Sequence, residues 1–102
     1  MIATHTVYAS GTWNVTKGHE EEFVRRWTEF LQWTRSTFGE LGTAQLIRDE
    51  ETPGHFVSFA TWKSIEALRD WRARPEFAER FSACRALCDE FRGSSYTQAA
   101  VV

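Results

Sequence analysis

Cysteine, proline and a dominant charge sign are all scarce in this sequence, and each scarcity excludes something. There are two cysteines, Cys84 and Cys88, four apart in a stretch that reads as one helix face. A zinc site needs four ligands at recognisable spacing, and no histidine or third cysteine lies near them, so no metal is expected and both read as buried thiols. No apolar run approaches the roughly 20 residues of a membrane-spanning helix. The start, "MIATHTVYAS", has no basic segment followed by an apolar one, so no signal peptide is expected and the cytoplasm is the expected compartment. The formal charge of −2, with bases and acids alternating along helices, gives no footprint for nucleic acid or an anionic membrane. Glycine-rich phosphate cradles, G-x-S-x-G elbows and His/carboxylate metal clusters are also missing, so a conventional flavin or nicotinamide site is not expected.

What the chain does have is aromatic side chains. They make up 15% of the residues, with five Trp and eight Phe, in a chain of 102 residues that has the length of one domain, 1–102, with a single modest core. Rings in such number either stiffen a core or line a pocket, and composition does not separate the two.

Periodicity orders the chain. "VYASGTWNV", Val7 to Val15, alternates and reads as a strand with Val7, Ala9, Gly11, Trp13 and Val15 on one face. Gly11 in mid-strand leaves room for something to approach. After "TKG" three glutamates, Glu20 to Glu22, crowd a first helical turn where the dipole favours anions. From His19 to about Phe38 an apolar stripe of Phe23, Trp27, Phe30, Leu31, Thr34 and Phe38 follows helical spacing, with Trp33 at its margin and Gly39 as a stop.

"GTAQLIRD" (Gly42 to Asp49) and "HFVSFATW" (His55 to Trp62) flank the turn cluster "EETPG" and read as a hairpin. Ser64 offers an N-cap to "IEALRDW", and Pro75 restarts a helix expected to run to about Cys88. "SSYTQAAVV" reads as a last strand. The order β-α-β-β-α-β, with the second helix broken near Pro75, is an α+β, ferredoxin-like arrangement: an antiparallel sheet with its helices on one face. In "HFVSFATW", Phe56, Ala60 and Trp62 point one way while Val57 and Phe59 point the other. A sheet apolar on both faces needs a second cover, and a second copy of the chain is the simplest, so a homodimer is expected.

The segments "WNVTKGHEEEFVRRW" and "LIRDEETPGHFVSFATWKSIEALRDWRARPEF", with the strand-like tail, resemble the antibiotic biosynthesis monooxygenase domain over roughly Tyr8 to Val101. The resemblance implies a ferredoxin-like fold that dimerises into an α+β barrel. Members with defined chemistry fall into two branches. One oxidises phenolic polyketide intermediates to quinones with O₂ and no cofactor. The other degrades haem, using an Asn on the first strand, a Trp closing the first part of the second helix and a His later in that helix. Laid onto this chain, Trp71 matches the Trp, but Gly11 falls at the Asn and Phe81 at the His. Phe81 has no imidazole to bind iron, so haem degradation is not expected. His5, His19 and His55 sit at a strand start, a helix start and a turn, and are expected to be exposed.

On that resemblance the expected activity is a cofactor-independent monooxygenase acting on a small aromatic, quinol or polyketide-like substrate. Such an enzyme needs an apolar, ring-shaped slot and a few donors. Substrate-binding candidates are Gly11, Phe23, Trp27, Phe77 and Phe81; candidates for the chemistry are Trp71, Asn14, Arg48 and Tyr96, with His55 and Arg72 as further polar groups. Trp62, ending a strand, reads as structural. Trp71 is open between core and pocket wall, and no residue presents itself as the base. A non-catalytic ligand-binding or assembly module, or an isomerase or cyclase on the same fold, stands as the alternative.

Overall fold

The computed structural model describes residues 6–102. Its elements are β1 (Val7–Val15), α1 (Glu20–Thr37), β2 (Leu41–Arg48), β3 (His55–Trp62), α2 (Ile65–Ala73), α3 (Pro75–Arg85) and β4 (Cys88–Thr97). The four strands form one sheet in the order β2-β3-β1-β4, every neighbouring pair antiparallel. This is the expected α+β, ferredoxin-like order with a divided second helix. His5 lies outside the described residues.

Local chemistry explains the boundaries. Gly18 takes φ 94°, a left-handed conformation glycine adopts without penalty, and turns the chain from β1 into α1. The Ser64 hydroxyl accepts a 3.1 Å hydrogen bond from Ala67 N and caps α2. Arg74 is extended, at φ −74° and ψ 138°, as the ring of a following proline demands, and so separates α2 from α3. In the β2–β3 hairpin the Asp49 carboxylate accepts from the amides of Glu51 (2.8 Å) and Thr52 (3.1 Å) and from His55 Nδ1 (3.1 Å).

Two expectations need correction. The helix after Pro75 ends at Arg85, and Cys88 opens β4, where it pairs with Val15. Four-residue spacing between Cys84 and Cys88 imitates a helical stripe, yet Cys88 is buried because the strand's inner face begins there. The last strand also starts earlier than read: β4 ends at Thr97, and Gln98 to Val102 are not strand.

The inner face of the sheet and the apolar stripes of the helices meet in a core rich in rings. Phe23, Phe56, Trp62 and Leu68 are almost wholly buried, and burying side chains of this size supplies much of the fold's driving force, about 1.5–3 kcal/mol for each large apolar group. The opposite face of the sheet carries Val57 and Phe59, both half-buried, with Ile47 50% and Tyr96 56% exposed.

Candidate functional site

Between the sheet and the helices lies a cavity of about 320 Å³, at the small end of the roughly 300–1,000 Å³ of ordinary ligand pockets. Its wall is a relay of rings drawn from four elements. Trp71 of α2 meets Phe77 of α3 edge-on at 4.7 Å, and Phe77 stacks on Phe81 at 5.7 Å. Phe81 meets Phe91 of β4 at 5.0 Å, and Phe91 meets Trp13 of β1 at 4.3 Å. Trp27, Phe30 and Leu31 of α1 also line it. The floor lies at Gly11 and Gly93, paired across β1 and β4. A Cβ on Gly11 would meet Phe91 Cε1 at 2.8 Å, Trp13 Nε1 at 3.0 Å and Ser58 Oγ at 3.1 Å. Gly11 therefore leaves room for this chain's own rings as well as for the cavity.

The interior polar groups are already engaged. Trp13 Nε1 donates to Ser58 Oγ at 3.0 Å, and Trp71 Nε1 donates to Thr34 Oγ1 at 3.0 Å. Thr34 in turn donates to Phe30 O at 2.9 Å. Trp71, 5% exposed, thus packs in the core with one side on the cavity. Trp62, 1% exposed, packs 5.0 Å from Trp71 and does not line the cavity; its buried indole N–H has no hydrogen-bond partner among the described residues. The cavity lining contains no His, Asp or Glu, and its only charged side chain among the described residues is Arg72. Arg72 Nη1 donates to Ser95 Oγ at 2.8 Å, and partial burial lowers the guanidinium's pKa below its ordinary value.

The structure therefore gathers Trp71, Gly11, Trp27, Phe77, Phe81 and Arg72 around one space. It places the other candidates elsewhere. Phe23 is fully buried behind the wall, 5.1 Å from Trp13 and 5.2 Å from Phe56. Asn14 lies on the other face of the sheet and donates to Glu90 Oε1 at 3.1 Å. Tyr96 shares that outer face, paired with Tyr8. Arg48 sits over the Phe56 ring at 4.7 Å and pairs with Glu21 at 3.3 Å, in a separate groove between α1 and β2. His55 is committed to Asp49.

Reading the sequence missed Trp13, Phe91 and Ser58 as wall and floor residues. Alternation along β1 did put Trp13 on the face of Gly11, which was the available signal. Phe91 needed the register of β4, and that strand was placed too late. Cys84 and Cys88 take no part in the cavity: burial pushes Cys84 up to about 12 and Cys88 to about 11, so both stay protonated and unreactive at neutral pH. Among the described residues no group of His, Cys, Asp and Glu side chains is arranged to hold a metal, and no helix is long and apolar enough to cross a membrane.

The same architecture recurs in solved structures. A variant of SnoaB, a cofactor-independent oxygenase from Streptomyces nogalater, superimposes with a TM-score of 0.88 at 21% identity, covering 98% of each chain. A conserved protein from Methanosarcina mazei gives 0.82 at 16% identity, over 91% of this chain and 92% of that one. An antibiotic biosynthesis monooxygenase gives 0.76 at 20% identity, over 94% of this chain and 99% of that one. At such identities the likeness establishes a shared fold. No curated protein sequence matches the chain. The sequence model of one family does match it, over residues 6–82, three quarters of its length: the chain belongs to the antibiotic biosynthesis monooxygenase family.

Proposed function

We propose that this protein is a cofactor-independent monooxygenase that oxidises a planar aromatic substrate, of quinol or anthrone type, with O₂. The observation that carries this reading is the relay of rings around an apolar cavity open on one side, Trp71–Phe77–Phe81–Phe91–Trp13. It has the shape and chemistry of a slot for fused rings, about two or three at its volume. Family membership and the SnoaB fold support the same reaction class.

The chemistry follows from what the slot holds and what it keeps out. A substrate with a methylene conjugated to a carbonyl, as in an anthrone, loses a proton to become an enolate. Dioxygen, itself apolar, partitions into the cavity and takes one electron from that enolate. Superoxide and the substrate radical then combine at carbon, protonation gives a hydroperoxide, and loss of water leaves a carbonyl. The balance is R₂CH₂ + O₂ → R₂C=O + H₂O, with the substrate as sole reductant. Exclusion of water by the ring wall protects the intermediates from side reactions. Trp71, Gly11, Trp27, Phe77 and Phe81 are proposed to shape the slot. With no His, Asp or Glu in the lining among the described residues, the substrate's own acidity and solvent at the mouth are proposed to account for the proton transfer.

The homodimer belongs to this reading. Ile47, Val57 and Phe59 form an apolar patch on the outer face of β2 and β3, with Tyr8 and Tyr96 paired on the same face across β1 and β4, and a second copy facing it would close an α+β barrel. A cytoplasmic location and a single catalytic domain are proposed with it. The thin polar inventory favours one rival, a module that binds the same ligands without turning them over. Oxygen consumption decides between them: metal-stripped protein added to a panel of polycyclic quinols and anthrones should take up O₂ beyond the autoxidation of each substrate alone. Tight binding with no uptake would make it a binding module.

A further inference from the structure

Arg72 differs from most of the molecule's other arginines. Arg25, Arg26, Arg48 and Arg74 each pair with a carboxylate, and Arg35 and Arg85 donate to backbone carbonyls. Arg72 takes part in no ion pair among the described residues. Among the described residues its hydrogen-bond partner is a neutral hydroxyl, Ser95 Oγ at 2.8 Å. A guanidinium has five donors in a planar fork, so most of its capacity is left over. The bond to Ser95 ties the tip of α2 to β4 and steadies the fork where the cavity opens beside Gly93 and Ser94, both exposed.

The rest of the lining sharpens the point. The indoles of Trp13 and Trp71 are spent on Ser58 and Thr34, so the interior presents rings and satisfied dipoles. A ligand filling it can bury apolar surface there but, among the described residues, meets positive charge at one place, Arg72. Arg72 is exposed at the mouth, and its guanidinium, charged at neutral pH, can meet an anion there with charge-assisted hydrogen bonds.

We infer that Arg72 is the specificity-determining residue of this cavity, selecting planar aromatic ligands that carry a carboxylate on the edge facing the mouth. A carboxylate matches the guanidinium fork in two parallel hydrogen bonds, stays ionised at neutral pH, and keeps its outer side in water while the rings sit within. The inference rests on reading the cavity as the ligand site, but not on what happens to the ligand afterwards.

The test is calorimetric titration at neutral pH with naphthoate, the matching naphthamide and naphthol, which have the same ring system and differ in charge. Wild type should bind naphthoate about tenfold or more tighter than naphthamide, the worth of one charged hydrogen-bonded contact. Arg72→Gln, an exposed substitution whose folding is checked by its melting curve, should erase that preference while leaving naphthamide binding where it was. Arg72→Lys should fall between, keeping charge but losing the fork. Equal binding of naphthoate and naphthamide by wild type would overturn the inference, as would a preference that survives Arg72→Gln. Naphthol bound as tightly as naphthoate, with the same loss in Arg72→Gln, would also overturn it, since Arg72 would then be a donor without selectivity for charge. Carboxylate preference with no oxygen uptake on any quinol would keep this inference and remove the oxygenase. Uptake without the preference would do the reverse.

Discussion

The indole N–H of Trp71 donates a 3.0 Å hydrogen bond to the buried hydroxyl of Thr34, one helix away. That bond settles how Trp71 is held. Its ring packs 5.6 Å from Phe30 and 5.0 Å from Trp62 in the core while another part of it borders the cavity. Core and pocket wall, alternatives when only the sequence is read, are here the same side chain.

This dual placement sets what its variants should do. Trp71→Ala removes a core ring and should cost about 3–5 kcal/mol of stability, enough to confuse loss of folding with loss of activity. Trp71→Phe keeps a ring and drops the hydrogen bond, with an expected cost of about 1–2 kcal/mol. Urea denaturation of both variants checks the order. A small effect for Trp71→Ala would mean that the cavity wall is far looser than its packing implies.

Gly11 has a narrower tolerance. A methyl group there would press on Phe91, on the Trp13 indole and on the Ser58 hydroxyl at once. Gly11→Ala is expected to lose about 1–3 kcal/mol through overpacking and to weaken aromatic ligands by shrinking the floor. Denaturation alongside ligand titration measures both. Unchanged stability with unchanged affinity would show that Phe91 swings aside freely.

The hairpin carries a pH dependence. Asp49 is held below its ordinary 3.8, first by the hydrogen bond from His55 and then by the amides of Glu51 and Thr52. A carboxylate with a depressed folded-state pKa contributes stability above the unfolded value, and that contribution is lost as the pH falls through the folded one. Asp49→Asn should therefore melt below wild type at pH 6, with the gap closing as the pH drops below about 4. A gap that stays constant down to pH 2 would mean that the loop does not depend on the charge.

The outer face of the sheet tests the dimer. Val57 pairs with Ile47 on β2 and with Thr12 on β1, and with Ile47 and Phe59 it makes up the outer apolar patch. Val57→Asp should convert a dimer to monomers in sedimentation while the strand signal in circular dichroism persists. A dimer that ignores the new charge would place the interface elsewhere.

Much of this architecture was legible because the sequence announces it locally. Alternation from Val7 to Val15, a cap at Ser64 and a proline at 75 each act within a few residues, and each boundary fell where the local chemistry put it. The errors came where local pattern was ambiguous: Cys84 and Cys88 keep helical spacing across the end of a helix. The site divides in the same way. Trp27, Phe77 and Phe81 follow from helical stripes, and Trp71 and Gly11 from the family's pattern and from strand alternation. Phe91 against Trp13, and Ser95 beneath Arg72, depend on contacts between segments far apart in the chain, which no local pattern encodes.

The most direct test of the oxygenase reading is the fate of isotopically labelled dioxygen. Metal-stripped protein and an anthrone-type substrate, incubated under the labelled gas, should yield a quinone with one labelled carbonyl oxygen, formed faster than in the protein-free control. Product formed no faster than in that control, or quinone whose new oxygen comes from water, would contradict it.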